Sequence, residues 1–184
     1  DDFKRITAFA DVLTEQKRFK DAATEHYRAL IYYPEYWRDE SAVKSLFQST
    51  ERSDDSDAMV HLINQVAVRQ YSPIAVCYGE YFKRRLWYKS EKYKDVVQAG
   101  GLKDCMSEVQ LENIYLMGLS YLRLRQWQLS EEIFQSIPQD AFLDPLRSKA
   151  IEVAKNGRNI PFKNPRLGGV FSMIVPGCGY FYAK

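Results

Sequence analysis

The residues able to do chemistry in this chain are few and stand far apart. Three cysteines, Cys77, Cys105 and Cys178, form no CxxC pair, and the only histidines, His26 and His61, lie far from them. Zinc sites draw their ligands in closely spaced pairs, so no metal site is expected. A nucleophile needs a base beside it, and no serine or cysteine has a histidine within a recognisable local motif. Glu131 and Glu132 are adjacent. Consecutive helical residues point about 100° apart, so the two carboxylates read as solvated charge rather than an acid pair. Neither GxxxxGK[ST] nor GxGxxG occurs, and Gly177-Cys178-Gly179 is too short to cradle a phosphate. These absences argue for a chain without cofactor or enzymatic activity. Cys77 reads as a small core residue on an apolar helix face. In an oxidising compartment it could pair with Cys105.

Composition narrows the partners. The chain has 184 residues, 46% hydrophobic and 14% aromatic, with 13 Tyr and 10 Phe, so it holds ample material for a continuous core. A formal net charge of +2 is too small for a nucleic-acid surface, which needs clustered cations. Lys83-Arg84-Arg85 is the densest basic run and Asp54-Asp55-Ser56-Asp57 the densest acidic one. They read as a solvated helix face and a polar loop.

The elements that must position these residues are helical throughout, since no strand alternation appears. A first hairpin runs from about Phe3 to Ala29, with Phe9, Ala10 and Leu13 on one face of its first helix and Ala22, Tyr27 and Ala29 on the second. Lys17-Arg18-Phe19-Lys20 makes its turn and Pro34 ends it. A second unit spans roughly Asp39 to Gln70. Ala42, Leu46 and Phe47 face inward, then Ala58, Leu62 and Val66; Ser49 to Asp57 joins its helices, with Ser56 or Asp57 as the cap. The third begins after Pro73 with Ile74, Cys77, Tyr78 and Tyr81. Trp87 marks its turn, Tyr93, Val96 and Val97 continue it, and Gly100-Gly101 closes it. A fourth hairpin fills Ile114 to Pro138, and a helix from about Asp144 to Lys155 caps the stack.

Small residues give the register. Ala22 and Ser90 stand 68 residues apart, twice the period of about 34 residues seen in tetratricopeptide repeats. Ser56 falls midway. Ser90 to Ser130 is 40 residues, which places an insertion of about six residues around Gly100 to Asp104.

On these residues the chain resembles tetratricopeptide repeats, clearly over 3–36 and 111–144 and in weaker copies over 39–104. Ile114, Met117, Gly118, Tyr121, Trp127, Ser130 and Phe134 match the family's bulky, small and aromatic places in the last repeat. Ile6, Phe9, Ala10, Leu13, Phe19, Ala22, Ala29 and Pro34 match them in the first. His26 replaces the second-helix aromatic, and Ile137 a small residue. The resemblance implies an all-α fold: a right-handed α-solenoid of about four hairpins with a capping helix, over residues 1–157. It also implies a non-enzymatic protein–protein interaction or scaffold domain, with a concave groove for a peptide or partner protein. The groove-facing places map to Phe82, Lys83, Tyr115, Leu119 and Arg123, which would suit an acidic, partly apolar peptide. Self-association is a further expectation left open.

The segment 158–184 is a linker and the start of an apolar stretch. Gly168 to Tyr182 carries no charge, but it is too short to span a bilayer, which takes about 20 residues. Its pattern, with Ser172, Pro176, Gly177, Gly179 and Tyr182, is similar to a membrane-hairpin motif of bacterial envelope proteins that follows helical repeats. That similarity implies an envelope location, periplasmic and membrane-associated, and membrane contact through the tail. Asp1 is not an initiator Met, so a targeting segment is expected to have been removed. The alternative function is a structural or assembly module that positions this tail and binds no peptide of its own.

Overall fold

A computed structural model describes residues 2–102, 105–139 and 143–158, and all secondary structure among them is helical. The helices are α1 (Asp2–Glu15), α2 (Phe19–Tyr32), α3 (Glu40–Arg52), α4 (Ser56–Arg69), α5 (Pro73–Lys89), α6 (Tyr93–Ala99), α7 (Ser107–Arg123), α8 (Trp127–Gln135) and α9 (Asp144–Arg158). A 3-10 turn, Pro34–Arg38, follows α2. Local chemistry sets the starts. The side chains of Asp39, Asp55 and Ser72 accept from the backbone N–H of Ala42, Ala58 and Ala75, and Pro73 occupies the first turn of α5. The cap of α4 is thus Asp55, not Ser56 or Asp57, because α3 continues through buried Ser49 and Thr50 to Arg52.

Each helix packs on its neighbour in sequence, and α3 on α5, α5 on α7 and α7 on α9 as well. Aromatic rings wedge the seams: Trp37 stacks on Tyr71 at 4.2 Å, and Phe47 on Phe82 at 5.2 Å. Phe9, expected in the core, is 54% exposed, whereas Ala10 and Leu13 beside it are buried.

Four hairpins share one turn. Lys17, Asp54, Glu91 and Arg125 have positive φ, and each is the middle of three residues joining α1 to α2, α3 to α4, α5 to α6 and α7 to α8. None is glycine, so each turn carries a local cost of about 1 kcal/mol that the packing around it offsets. In three of them the next residue donates to the carbonyl five back: Arg18 to Leu13, Lys92 to Trp87 and Gln126 to Tyr121. In the second turn the Ser53 hydroxyl donates to Thr50 O instead.

These turns correct the register. They stand 37, 37 and 34 residues apart. Ser90 therefore lies in a turn and is no counterpart of Ala22. Five residues past each turn come Ala22, Met59, Val96 and Ser130, all buried, and seven before it come Ala10, Phe47, Arg84 and Gly118, also buried. The expected insertion near Gly100 is not there as such, because the last interval is the shortest. The first and last hairpins carry small residues at both crossing places and pack closely. The middle two carry Phe47 with Met59 and Arg84 with Val96, and their helices touch far less.

In the last hairpin the approach is limiting. A Cβ on Gly118 would lie 2.6 Å from Phe134 Cε1, and Ser130 Oγ donates to Gly118 O at 2.9 Å. In the third hairpin the buried Arg84 guanidinium donates to Gly100 O (2.7 Å), Ala99 O (3.2 Å) and Asn113 Oδ1 (2.7 Å), closing the C-terminus of α6. Glu131, read from sequence as solvated, is buried and pairs with Arg158 of α9 at 2.7 Å. Cys77 on α5 is bonded to Cys105 ahead of α7, closing a 28-residue loop around α6.

Gly118→Ala should lower the unfolding free energy by about 1–3 kcal/mol through overpacking. Gly101→Ala, whose added methyl meets nothing within 4 Å, should leave the urea midpoint unchanged. Reducing the 28-residue loop's disulfide should cost about 3–4 kcal/mol by loop entropy, read as a lower urea midpoint with dithiothreitol; a midpoint indifferent to reductant would refute the bridge.

Candidate binding site

Four of the five residues placed in a groove by register do not meet open space together. Phe82 is 2% exposed and stacked on Phe47, so it is core and cannot reach a ligand. Tyr115 and Leu119 are half-buried against the cluster around Phe134 and Ile137, with the Tyr115 ring 5.4 Å from that of Phe134. Burial raises the Tyr115 phenol above its ordinary value. Arg123 is exposed, and its Nε donates to Tyr88 Oη at 3.4 Å, tying α7 to α5. It belongs to a face laced by the chain's own charges. Lys44 of α3 reaches Glu108 of α7 at 2.8 Å, and Arg85 and Lys89 of α5 reach Glu51 of α3 at 2.9 and 3.5 Å. The Glu108 hydrogen bond pushes the Lys44 ammonium up. Tyr78 Oη donates to Glu40 on the same side at 3.3 Å.

Lys83 is placed differently. It lines an open cleft between α4 and α5, with a volume near 360 Å³. Val60, Ile63, Ala67, Leu86 and Trp87 supply apolar walls, and Lys92 stands at the turn. Lys83 Nζ lies 5.2 Å from the centroid of the Trp87 ring and 3.5 Å from Glu80 Oε1. The aromatic face and the carboxylate hold the ammonium at the wall. An apolar side chain entering here meets Trp87 with two cations beside it and one carboxylate already engaged. Trp87, a turn marker by sequence, sits in the last turn of α5, and Lys92, which no sequence motif marks, is the residue ahead of α6. A signal existed: Val60, Ile63 and Ala67 repeat at helical spacing on α4, beside the buried stripe of Met59, Leu62 and Val66.

His26 sits elsewhere, in a polar pocket of about 150 Å³ with Thr7 and Asp11 of α1, and Asp39, Ser41 and Ser45 around the start of α3. It is nine residues past its turn, the place that Phe134 holds in the last hairpin. The ring is 3% exposed, Nε2 is 3.8 Å from Asp11 Oδ1, and Nδ1 has no partner. Burial lowers its proton affinity, with Asp11 opposing in part. Among the described residues no group of three or more His, Cys, Asp or Glu could hold a metal ion, and no helix is long and apolar enough to cross a membrane. Pro176, Gly177, Gly179 and Tyr182 lie outside the described residues.

No family model, curated protein or solved structure matches this chain.

The buried ring makes a pH prediction. A histidine whose folded value lies below the ordinary 6.5 binds fewer protons folded than unfolded. Stability is then full above 6.5 and falls as pH drops from there towards the lowered folded value. Urea midpoints should decline from pH 6.5 towards 5. His26→Phe should flatten that decline, while replacing exposed His61 by Gln should not.

Proposed function

We propose that this chain is a non-enzymatic binding module, a tetratricopeptide-like α-solenoid that holds an acidic, partly apolar peptide segment of a partner protein. The observation that carries the reading is the cleft of α4 and α5. It has apolar walls from Val60, Ile63, Ala67 and Leu86, a tryptophan, and two lysines at its edge, of which, among the described residues, only Lys83 has a carboxylate within ion-pair distance. That combination suits an aromatic or aliphatic anchor flanked by Asp or Glu. The solenoid reading is supported by four hairpins with a positive-φ residue at the middle of each turn, 37, 37 and 34 residues apart, and by packing of α3 on α5 and of α5 on α7. The binding place moves from the face of α3, α5 and α7 to the cleft, since that face is occupied by the chain's own ion pairs. The Cys77–Cys105 bond favours an oxidising compartment, in keeping with a bacterial envelope location.

A fluorescein-labelled peptide with one Phe flanked by two Glu on each side tests this. Fluorescence anisotropy should give a micromolar Kd. Lys83→Glu with Lys92→Glu should weaken binding at least about tenfold, or 1.4 kcal/mol, with the thermal midpoint nearly unchanged. Equal affinity for the double variant would remove the cleft from the function.

A further inference from the structure

A second cleft, of about 220 Å³, opens between α2 and α4 over α3. Counted from the turns, it is the first one again, one hairpin earlier. Ala23 and Val60 each stand six residues past their turn, and Tyr27 and Asn64 ten past. Leu46 and Lys83 stand eight before the following turn, Thr50 and Trp87 four before it, and Asp55 and Lys92 one past it. The two places share a backbone frame and differ in charge. At the earlier one Leu46 replaces Lys83, and the rim lysine, Lys20, is paired with Asp55 at 3.4 Å. Its lining is otherwise apolar or uncharged apart from His61 at the edge.

We infer that the two clefts form one bipartite site for a single extended peptide: an uncharged aliphatic side chain in the α2–α4 cleft, and an aromatic flanked by acids in the α4–α5 cleft. This rests on the proposed peptide-binding function. The partner's spacing follows from the fold. α4 stands between the clefts, with Ala58 and Leu62 on one side and Val60, Ile63 and Ala67 on the other, and a helix with its side chains is about 10 Å across. An extended chain covers that distance in about three residues. The recognised pattern is thus an aliphatic and an acid-flanked aromatic residue three apart, with acids beside the aromatic only. Charge selects the register: acids beside the aliphatic residue would face the Asp55 carboxylate, and acids beside the aromatic face Lys83 and Lys92.

The test uses a peptide with a single Glu on each side of the Phe, and adds Leu three residues before, or three after, that Phe. One of these two peptides should bind the full chain at least tenfold more tightly than the peptide without Leu. Ala23→Leu and Ala58→Leu, which fill the α2–α4 cleft from opposite walls, should each erase that gain and leave the affinity of the Leu-free peptide unchanged. Lys83→Glu should weaken all three peptides. If neither Leu gives a gain, or the gain survives both filling variants, the bipartite site falls and the single cleft stands. If a Leu gain is erased by filling yet no peptide responds to Lys83→Glu, the underlying reading falls and the α2–α4 cleft stands alone. No binding by any peptide overturns both. Self-association in sedimentation that Ala23→Leu weakens would make a second copy the occupant and overturn the peptide assignment.

Discussion

The fold depends on how closely the two helices of each hairpin can cross. That distance is set by two side chains, one seven residues before the shared turn and one five after it. Where both are small, as with Ala10 and Ala22 or Gly118 and Ser130, backbone meets side chain directly and Ser130 can donate to Gly118 O. Where they are bulky, the helices stand apart: Phe47 with Met59 and Arg84 with Val96 are buried at the same places. The clefts flank these wider hairpins. Cavities close to solvent survive in a packed protein only if neighbouring helices cannot collapse on them. Here Phe47, stacked on Phe82 and near Tyr78, braces α3 against α5 and keeps that geometry.

The charges divide into those that shape the molecule and those left for a ligand. Exposed ion pairs contribute little to stability, so Arg85 and Lys89 on Glu51 serve mainly to occupy the α3–α5–α7 face. An anionic peptide approaching there would have to displace internal partners. At the α4–α5 cleft the cost is lower, because the apolar walls are already exposed and Lys83 is held on Trp87 without being buried.

Much of the helical plan was legible in the sequence. Pro34, Pro73 and Gly100 mark element ends, and apolar periodicity finds the helices. The register was not, for a specific reason. Small residues mark the crossing in the first and last hairpins only, and Phe47 and Arg84 fill that place in the other two. The true marks, Lys17, Asp54, Glu91 and Arg125, are charged residues, and only aspartate among them favours positive φ, so residue type does not reveal the shared turn. The same slip put Phe82 at the surface. Tyr115 and Leu119 hold the places of Tyr81 and Arg85, ten and six residues before the turn, but their apolar character serves the Phe134 cluster. Lys83, one residue past buried Phe82, lines the cleft instead.

The contrast between Asp55 and Lys92 shows how such a frame can vary its ligand while keeping its backbone. Both residues stand one past the turn, at the N-terminus of a second helix. Asp55 does what that place favours: it caps α4 through Ala58 N and pairs with Lys20. Lys92 makes no side-chain cap, and a cation there opposes the dipole of α6. α6 is held from its other end. Arg84 donates to the carbonyls of Ala99 and Gly100, which places a cation where the helix dipole favours one. The disulfide ties the residues on either side of α6 together. The bulky residue that widens the third hairpin thus also stabilises the far end of its short helix, so the position ahead of α6 can hold a lysine, which has no acceptor to cap with and lines the cleft instead.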